Sequence, residues 1–135
     1  MRWAGAVLSL SLAAIPASGV AHHSIAALYD RDKAVSLTGK ITRVDIVNPH
    51  SIIEVEVRRP NGATRVWKLE SSGPGGMQRT GVTPGDLPVG ETVKVVGYPA
   101  RDGGPSVWLT RLQTPDRTFD FSYRRGPAPK PVPTS

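Results

Sequence analysis

Three histidines are the residues in this chain best suited to bind a metal ion. His22 and His23 are adjacent near the start of the chain, and His50 follows in Asn48-Pro49-His50. If His22 is the first residue of the mature protein, its α-amine is a further nitrogen ligand, because the pKa of an α-amine lies well below that of a lysine. Nitrogen ligands of this kind favour copper. The pattern predicts a copper site formed by His22, His23 and His50.

The position of His22 depends on a leader that has to be removed. Met1-Arg2 is a positive start, residues 4–15 are apolar, and Gly19 and Ala21 are small residues at the sites that signal peptidase prefers. We therefore predict a signal peptide at 1–21, with a cut after Gly19 as the alternative. The apolar run is shorter than the about 20 residues that span a bilayer. The mature protein is expected to be periplasmic or secreted, with no transmembrane segment.

Both parts of the histidine pattern also have a simpler interpretation. A histidine pair at a mobile chain end is often only exposed to solvent, and His50 can bond to backbone groups in a turn fixed by Pro49. No spacing in the chain matches a closed metal-site motif. The alternative function is a metal-free structural or interaction module that binds a peptide or a glycan in the cell envelope.

Enzymatic function is the class that the sequence supports least, and we predict no catalytic residue. The chain has no cysteine, and it has no Gly-x-Ser-x-Gly motif around a nucleophile. Glu54 and Glu56 have the spacing of a solvent-facing side of a strand rather than that of a catalytic carboxylate pair. The glycine-rich residues 73–76 lack the lysine of a phosphate-binding loop.

Four further side chains are candidates for binding a ligand on the surface of the predicted barrel. They are Asn48, Trp67, Glu70 and Tyr98. Each also has a structural interpretation, because Trp67 shares the phase of Leu69 as a barrel-wall residue would, while Glu70 and Tyr98 lie where strands end.

The positive charge of the chain is concentrated at its two ends. The formal net charge is +6, but the cations Arg2, Arg124, Arg125 and Lys130 lie in the leader or in the proline-rich residues 124–135. The remainder is nearly neutral and has no basic stripe with interleaved aromatic residues, so nucleic-acid binding is not expected. We predict a disordered basic tail over 124–135 and a monomer whose partner is an envelope protein or a glycan.

Apolar residues recur at every second position between residues 35 and 123, which indicates strands. The phase changes between Ile41 and Val44, and this change predicts a bulge near Thr42-Arg43. Pro60-Asn61-Gly62 predicts a hairpin turn between the second and third strands.

The order of the strands predicts the fold class. Three strands, a short poor helix near Met77 and two or three more strands are typical of a small all-β, OB-like barrel of five to six strands, with an open sandwich as the alternative. The 14 glycines and 13 prolines argue against a helical bundle. The predicted organisation is a signal peptide at 1–21, an extended arm at 22–34, the barrel at 35–123 and the tail at 124–135.

The chain resembles a group of small secreted bacterial proteins, the domain-of-unknown-function family 6152. The residues behind this resemblance are Ala21–Ser24, Tyr29-Asp30, Leu37–Gly39, Asn48–His50, Trp67–Glu70 and Gly97–Gly103. Two features differ from the family pattern, namely the glycines at 73–76, which weaken the connecting helix, and the proline-rich tail. The resemblance implies a secreted β-barrel whose histidine start and Asn-Pro-His occur together, and it implies no activity.

Overall fold

The computed structural model describes residues 25–122 and 132–133. Its first strand, β1 (Val35–Asp45), pairs with two other strands along its length. The half up to Lys40 pairs with β4 (Thr92–Pro99), and the half from Lys40 pairs with β2 (His50–Arg58). The register shifts between Ile41 and Arg43, so the predicted bulge is confirmed. A bulge bends a strand, and this bend lets the sheet close on itself.

The remaining barrel strands complete the closure. β3 (Thr64–Ser72) pairs antiparallel with β2 and parallel with β5 (Ser106–Gln113), which pairs antiparallel with β4. Among the described residues, the order β1-β2-β3-β5-β4 returns to β1. The OB-type barrel is therefore confirmed, and this closure excludes the open sandwich.

The barrel interior is filled mostly by the alternate apolar residues that the strand pattern predicts, and Met77, Val82 and Leu87 of the β3–β4 connection complete it. The full set is Leu37, Ile41, Ile53, Val55, Leu69, Met77, Val82, Leu87, Val93, Val95, Val107, Leu109, Leu112, Phe119 and Phe121. Full burial of one such side chain contributes about 1.5–3 kcal/mol, so this apolar cluster is the main source of stability. The side chains on the opposite face of each strand point away from this cluster, so they are the ones that can contact a ligand.

The connection between β3 and β4 contains α2 (Pro74–Arg79) and a 3₁₀ turn (Pro84–Asp86). Pro74 occupies the first turn of α2, where its missing N–H is tolerated, and Met77 packs into the barrel. The short helix is at the predicted place. The 3₁₀ turn, which begins in a capping box between Thr83 and Asp86, was not predicted.

Two short strands lie beside the barrel. β6 (Thr118–Asp120) pairs with β5, and β7 (Val132–Pro133) pairs parallel with the start of β1. The signal peptide, His22, His23, Tyr123 and most of the basic tail lie outside the described residues, so those predictions stay as they were. No helix in the described part of the chain is long and apolar enough to span a bilayer.

We predict opposite effects for alanine at two adjacent glycines of α2. A Cβ on Gly76 would lie 1.9 Å from Ser72 Oγ, whereas a Cβ on Gly75 would meet only Arg79 Nη1 at 3.6 Å. Gly76→Ala should therefore lower the free energy of unfolding by about 1–3 kcal/mol. Gly75→Ala should raise it by about 0.5–1 kcal/mol, because alanine favours a helix over glycine.

Urea denaturation of the two variants beside the unmodified protein measures both changes. The same shift in midpoint for both would contradict the close contact between α2 and β3.

Candidate functional site

The N-terminal arm is bound along the β4–β5 turn before it reaches the barrel. It begins in a helical turn, α1 (Ile25–Leu28), which the prediction of an extended arm did not include. Tyr29 forms a bridge with Ala100, and the Arg101 N–H donates to the Leu28 carbonyl at 2.9 Å. The Arg101 guanidinium also donates to the Ala26 carbonyl at 3.0 Å. These bonds fix the direction in which the Tyr29 side chain leaves the arm.

The Tyr29 side chain contacts the Glu70 carboxylate on the outer face of β3. Its hydroxyl donates to Glu70 Oε2 at 2.5 Å and lies 3.1 Å from Ser106 Oγ. His50, the first residue of β2, places Nδ1 at 2.6 Å from the other oxygen, Glu70 Oε1. One carboxylate therefore joins the arm to β2. We call Tyr29, His50, Glu70 and Trp108 the Glu70 cluster.

Strand register explains why these residues meet. Glu70 lies beside Trp108 in the parallel β3–β5 ladder, so both side chains project from the same face. The His50 ring meets the Trp108 ring edge-on, with ring centroids 5.2 Å apart, and the Tyr29 ring lies tilted at 6.0 Å. Trp108 thus packs against the rings of both residues that bond to Glu70.

The electrostatics of the cluster favour an ionised Glu70. Burial acts to raise the pKa of Glu70, but the hydrogen bonds from Tyr29 and His50 and the charge of Lys68, 3.8 Å away, outweigh it and hold the pKa below its usual value. Burial, together with the hydrogen bond to Glu70, raises the pKa of Tyr29 to about 12. The pair therefore exists as a carboxylate and a neutral phenol near neutral pH.

An ionised Glu70 determines which nitrogen of His50 is available. A carboxylate only accepts hydrogen bonds, so His50 Nδ1–H is the donor in the 2.6 Å contact. In a neutral imidazole the lone pair then lies on Nε2, the arrangement that metal-binding histidines commonly adopt. The His50 side chain is 36% exposed, so part of the ring is open to solvent. Within residues 25–122, no three His, Cys, Asp or Glu side chains are grouped closely enough to hold a metal ion.

A pocket of about 360 Å³ opens next to the cluster, and Trp108 contributes to both. The remaining lining residues come from the arm, from the ends of β3 and β4, from β5 and from the segment after β6. They are Ile25, Ala26, Arg31, Ser71, Ser72, Tyr98, Thr110, Phe121 and Ser122.

Three of the predicted site residues lie in or beside this region. His50 and Glu70 are in direct contact, and Tyr98, opposite Trp108 in the β4–β5 ladder, lines the pocket. Glu70 is therefore not a solvent-facing residue at a strand end, since its side chain is only 14% exposed.

Asn48 and Trp67 lie apart from the Glu70 cluster. Asn48 Oδ1 lies against Gly73, where a Cβ would be 2.7 Å away. Trp67 packs against the barrel core with the Arg65 guanidinium 5.8 Å from its ring centroid. The ligand-binding roles of these two residues stay predictions.

Tyr29 and Trp108 are the site residues that sequence reasoning did not select. Tyr29 belongs to the Tyr29-Asp30 motif, which was noted only as part of a resemblance. Trp108 lies between Val107 and Leu109, so its phase places it on the outer face of β5. A large aromatic residue on the outer face of β5 was the one sequence signal that could have identified Trp108.

We predict that one tyrosine resists ionisation until strongly alkaline pH. The folded protein raises the pKa of Tyr29 from 10.0 to about 12, so the stability that this group contributes is present below pH 10 and is lost as the pH rises toward 12. A titration of the phenolate absorbance should show one late transition that Tyr29→Phe removes. Tyr98→Phe is the matched control and should leave the late transition in place, and its loss there would contradict the assignment.

The comparisons with known proteins identify a family. The solved structures that resemble the chain include the dimeric N-terminal domain of PriB from Thermoanaerobacter tencongensis, at 18% identity and a TM-score of 0.45, covering 62% of this chain and 96% of that one. A comparison with curated proteins gave no match. The model of the family of unknown function DUF6152 matches residues 7–107. This chain therefore belongs to the DUF6152 family.

Proposed function

We propose that this small β-barrel protein is exported and binds a copper ion through His50, His22 and His23. The observation that supports the proposal is the 2.6 Å contact between His50 Nδ1 and Glu70 Oε1. A carboxylate behind a histidine fixes the ring, selects the tautomer and makes the free nitrogen a stronger ligand. Glu70 is itself held by the Tyr29 hydroxyl, so the imidazole is oriented before any metal arrives.

The path of the arm supports the inclusion of the paired histidines. Ile25 lines the pocket together with Ser72, and Ser72 is the cross-strand partner of His50. Directly opposed residues in an antiparallel pair have Cα atoms about 4.5–5.5 Å apart. His23 precedes Ile25 by only two residues, which span about 7 Å when extended. Chain connectivity therefore keeps His23 within about 7 Å of Ile25, which lines the pocket on the side of the barrel where His50 lies.

The ligand set determines the kind of metal site. Imidazole nitrogens and an α-amine favour copper over the harder ions that prefer oxygen ligands. The three imidazoles and the α-amine give up to four nitrogen ligands, and the square-planar arrangement that Cu²⁺ adopts with such ligands leaves its axial positions open. Such a site suits reversible copper binding or transfer rather than structural support.

The copper proposal predicts graded losses of affinity. His50→Ala should weaken Cu²⁺ binding at least tenfold, and Glu70→Gln, which keeps the shape but removes the charge, should weaken it about 10–100-fold. Glu56→Gln is the matched control, since Glu56 is exposed on β2, the strand of His50, and lies outside the Glu70 cluster.

Competition with a chelator of known copper affinity measures each effect, and circular dichroism checks that each variant folds. Equal copper affinity of His50→Ala and the unmodified protein would remove His50 from the site.

The export proposal predicts the first residue of the mature protein. When the full chain is produced in a bacterium, intact-mass measurement of the periplasmic fraction should give a chain that begins at His22. A variant with Ala21→Arg should block the cut and leave the protein with the cells. A mass that corresponds to a chain starting at another residue would remove the His22 α-amine from the proposed site. Protein that stays in the cytoplasm and retains residues 1–21 would contradict export.

A further inference from the structure

The pocket beside the Glu70 cluster exists because two strands part. The parallel ladder between β3 and β5 ends at Glu70 and Trp108. Beyond this point β3 continues through Ser72 while β5 bulges at Thr110, where its register against β4 shifts. The resulting gap is bounded by Ile25 of the arm, and its volume is about 360 Å³.

The wall of this pocket is rich in hydroxyl groups. Five of the residues that line it have a hydroxyl, namely Ser71, Ser72, Tyr98, Thr110 and Ser122. Thr110 Oγ1 already donates to the Val96 carbonyl and Ser122 Oγ to Asp120, so these two hydroxyls can only accept from a ligand, and the buried Ser72 hydroxyl lies against Gly76 of α2. Trp108 adds an aromatic surface, and no lining residue among those described has a carboxylate. The wall therefore suits a ligand with many hydroxyl groups and an apolar face.

Arg31 gives the pocket a positive charge that the neighbouring acid does not neutralise. The Asp30 carboxylate is engaged by Lys33 at 3.2 Å and lies 3.8 Å from Arg101. Over residues 25–122, Arg31 forms no ion pair of its own. A guanidinium can form two parallel hydrogen bonds with a carboxylate, so Arg31 favours a ligand of that charge.

We propose that this pocket binds a sugar ring that bears a carboxylate, the hexuronate unit of an anionic glycan. Tyr98 and Ser71 bond to hydroxyls of the sugar, Thr110 and Ser122 accept from them, an apolar face of the ring packs on Trp108, and Arg31 binds the carboxylate. The volume equals that of about a dozen liquid waters, at about 30 Å³ each, which is enough for a pyranose ring. This inference makes the glycan alternative specific, and it does not depend on copper.

Titration of the metal-free full-length protein with galacturonate tests the proposal. Isothermal calorimetry and amide chemical shifts should show binding to residues around the pocket. Glucose, which lacks the carboxylate, and acetate, which lacks the ring, should each bind at least about tenfold more weakly. Tighter binding of the trigalacturonate than of the monomer would support a polymer as the source, and equal binding would support the free acid.

Variants at Arg31 test the contribution of its charge to binding separately from any effect on folding. Arg31→Gln should weaken galacturonate binding at least about tenfold, and Arg31→Lys should restore part of the loss. Arg59→Gln, in the turn between β2 and β3, is the control and should change nothing. Equal affinity for galacturonate and acetate, or an unaffected Arg31→Gln, would overturn the proposal. Because the titration contains no metal, its failure would leave the copper site untouched.

Discussion

The carboxylate of Glu70 determines how three separate parts of the chain meet. Its two oxygens accept from a tyrosine that lies 41 residues before it and from a histidine that lies 20 residues before it. The carboxylate is mostly buried, and a buried group that loses its partner costs about 1–3 kcal/mol. The donors are therefore required by the fold, and the bond from Tyr29 to this group adds to the backbone and Arg101 bonds that hold the arm against the barrel.

The same carboxylate has a second consequence for charge. The Lys68 ammonium lies 3.8 Å from Glu70 Oε2 but is half exposed, so it balances only part of the negative charge of Glu70. The His50 ring therefore lies next to a fixed negative charge. Such a charge makes an imidazole a better ligand for a cation. The outer face of β2 and β3 therefore carries a negative charge beside the His50 ring. The pocket beside Trp108 has the opposite character, because Arg31 lines it and no lining residue among those described has a carboxylate.

Local patterns in the sequence were sufficient for the barrel but not for the site. The change of phase after Ile41 predicted the bulge, because period-two alternation is decided by neighbouring residues. The same alternation placed Glu70 on the outer face of β3, but its partners depend on the path of the arm, which no local pattern records. The glycines of α2 weaken a helix by propensity, yet the contact that requires Gly76 comes from Ser72 on another element.

The two proposed sites share structural parts, and this has a thermodynamic consequence. Trp108 meets the His50 ring at 5.2 Å and also lines the pocket, while the Ile25 that bounds the pocket follows the histidine pair by two residues. A ligand that orders the start of the arm lowers the entropic cost for a second ligand that needs the same segment. By linkage, each ligand then strengthens the other by the same factor. The barrel is closed and its core side chains are buried, so any such coupling runs through the arm and Trp108 rather than through the core.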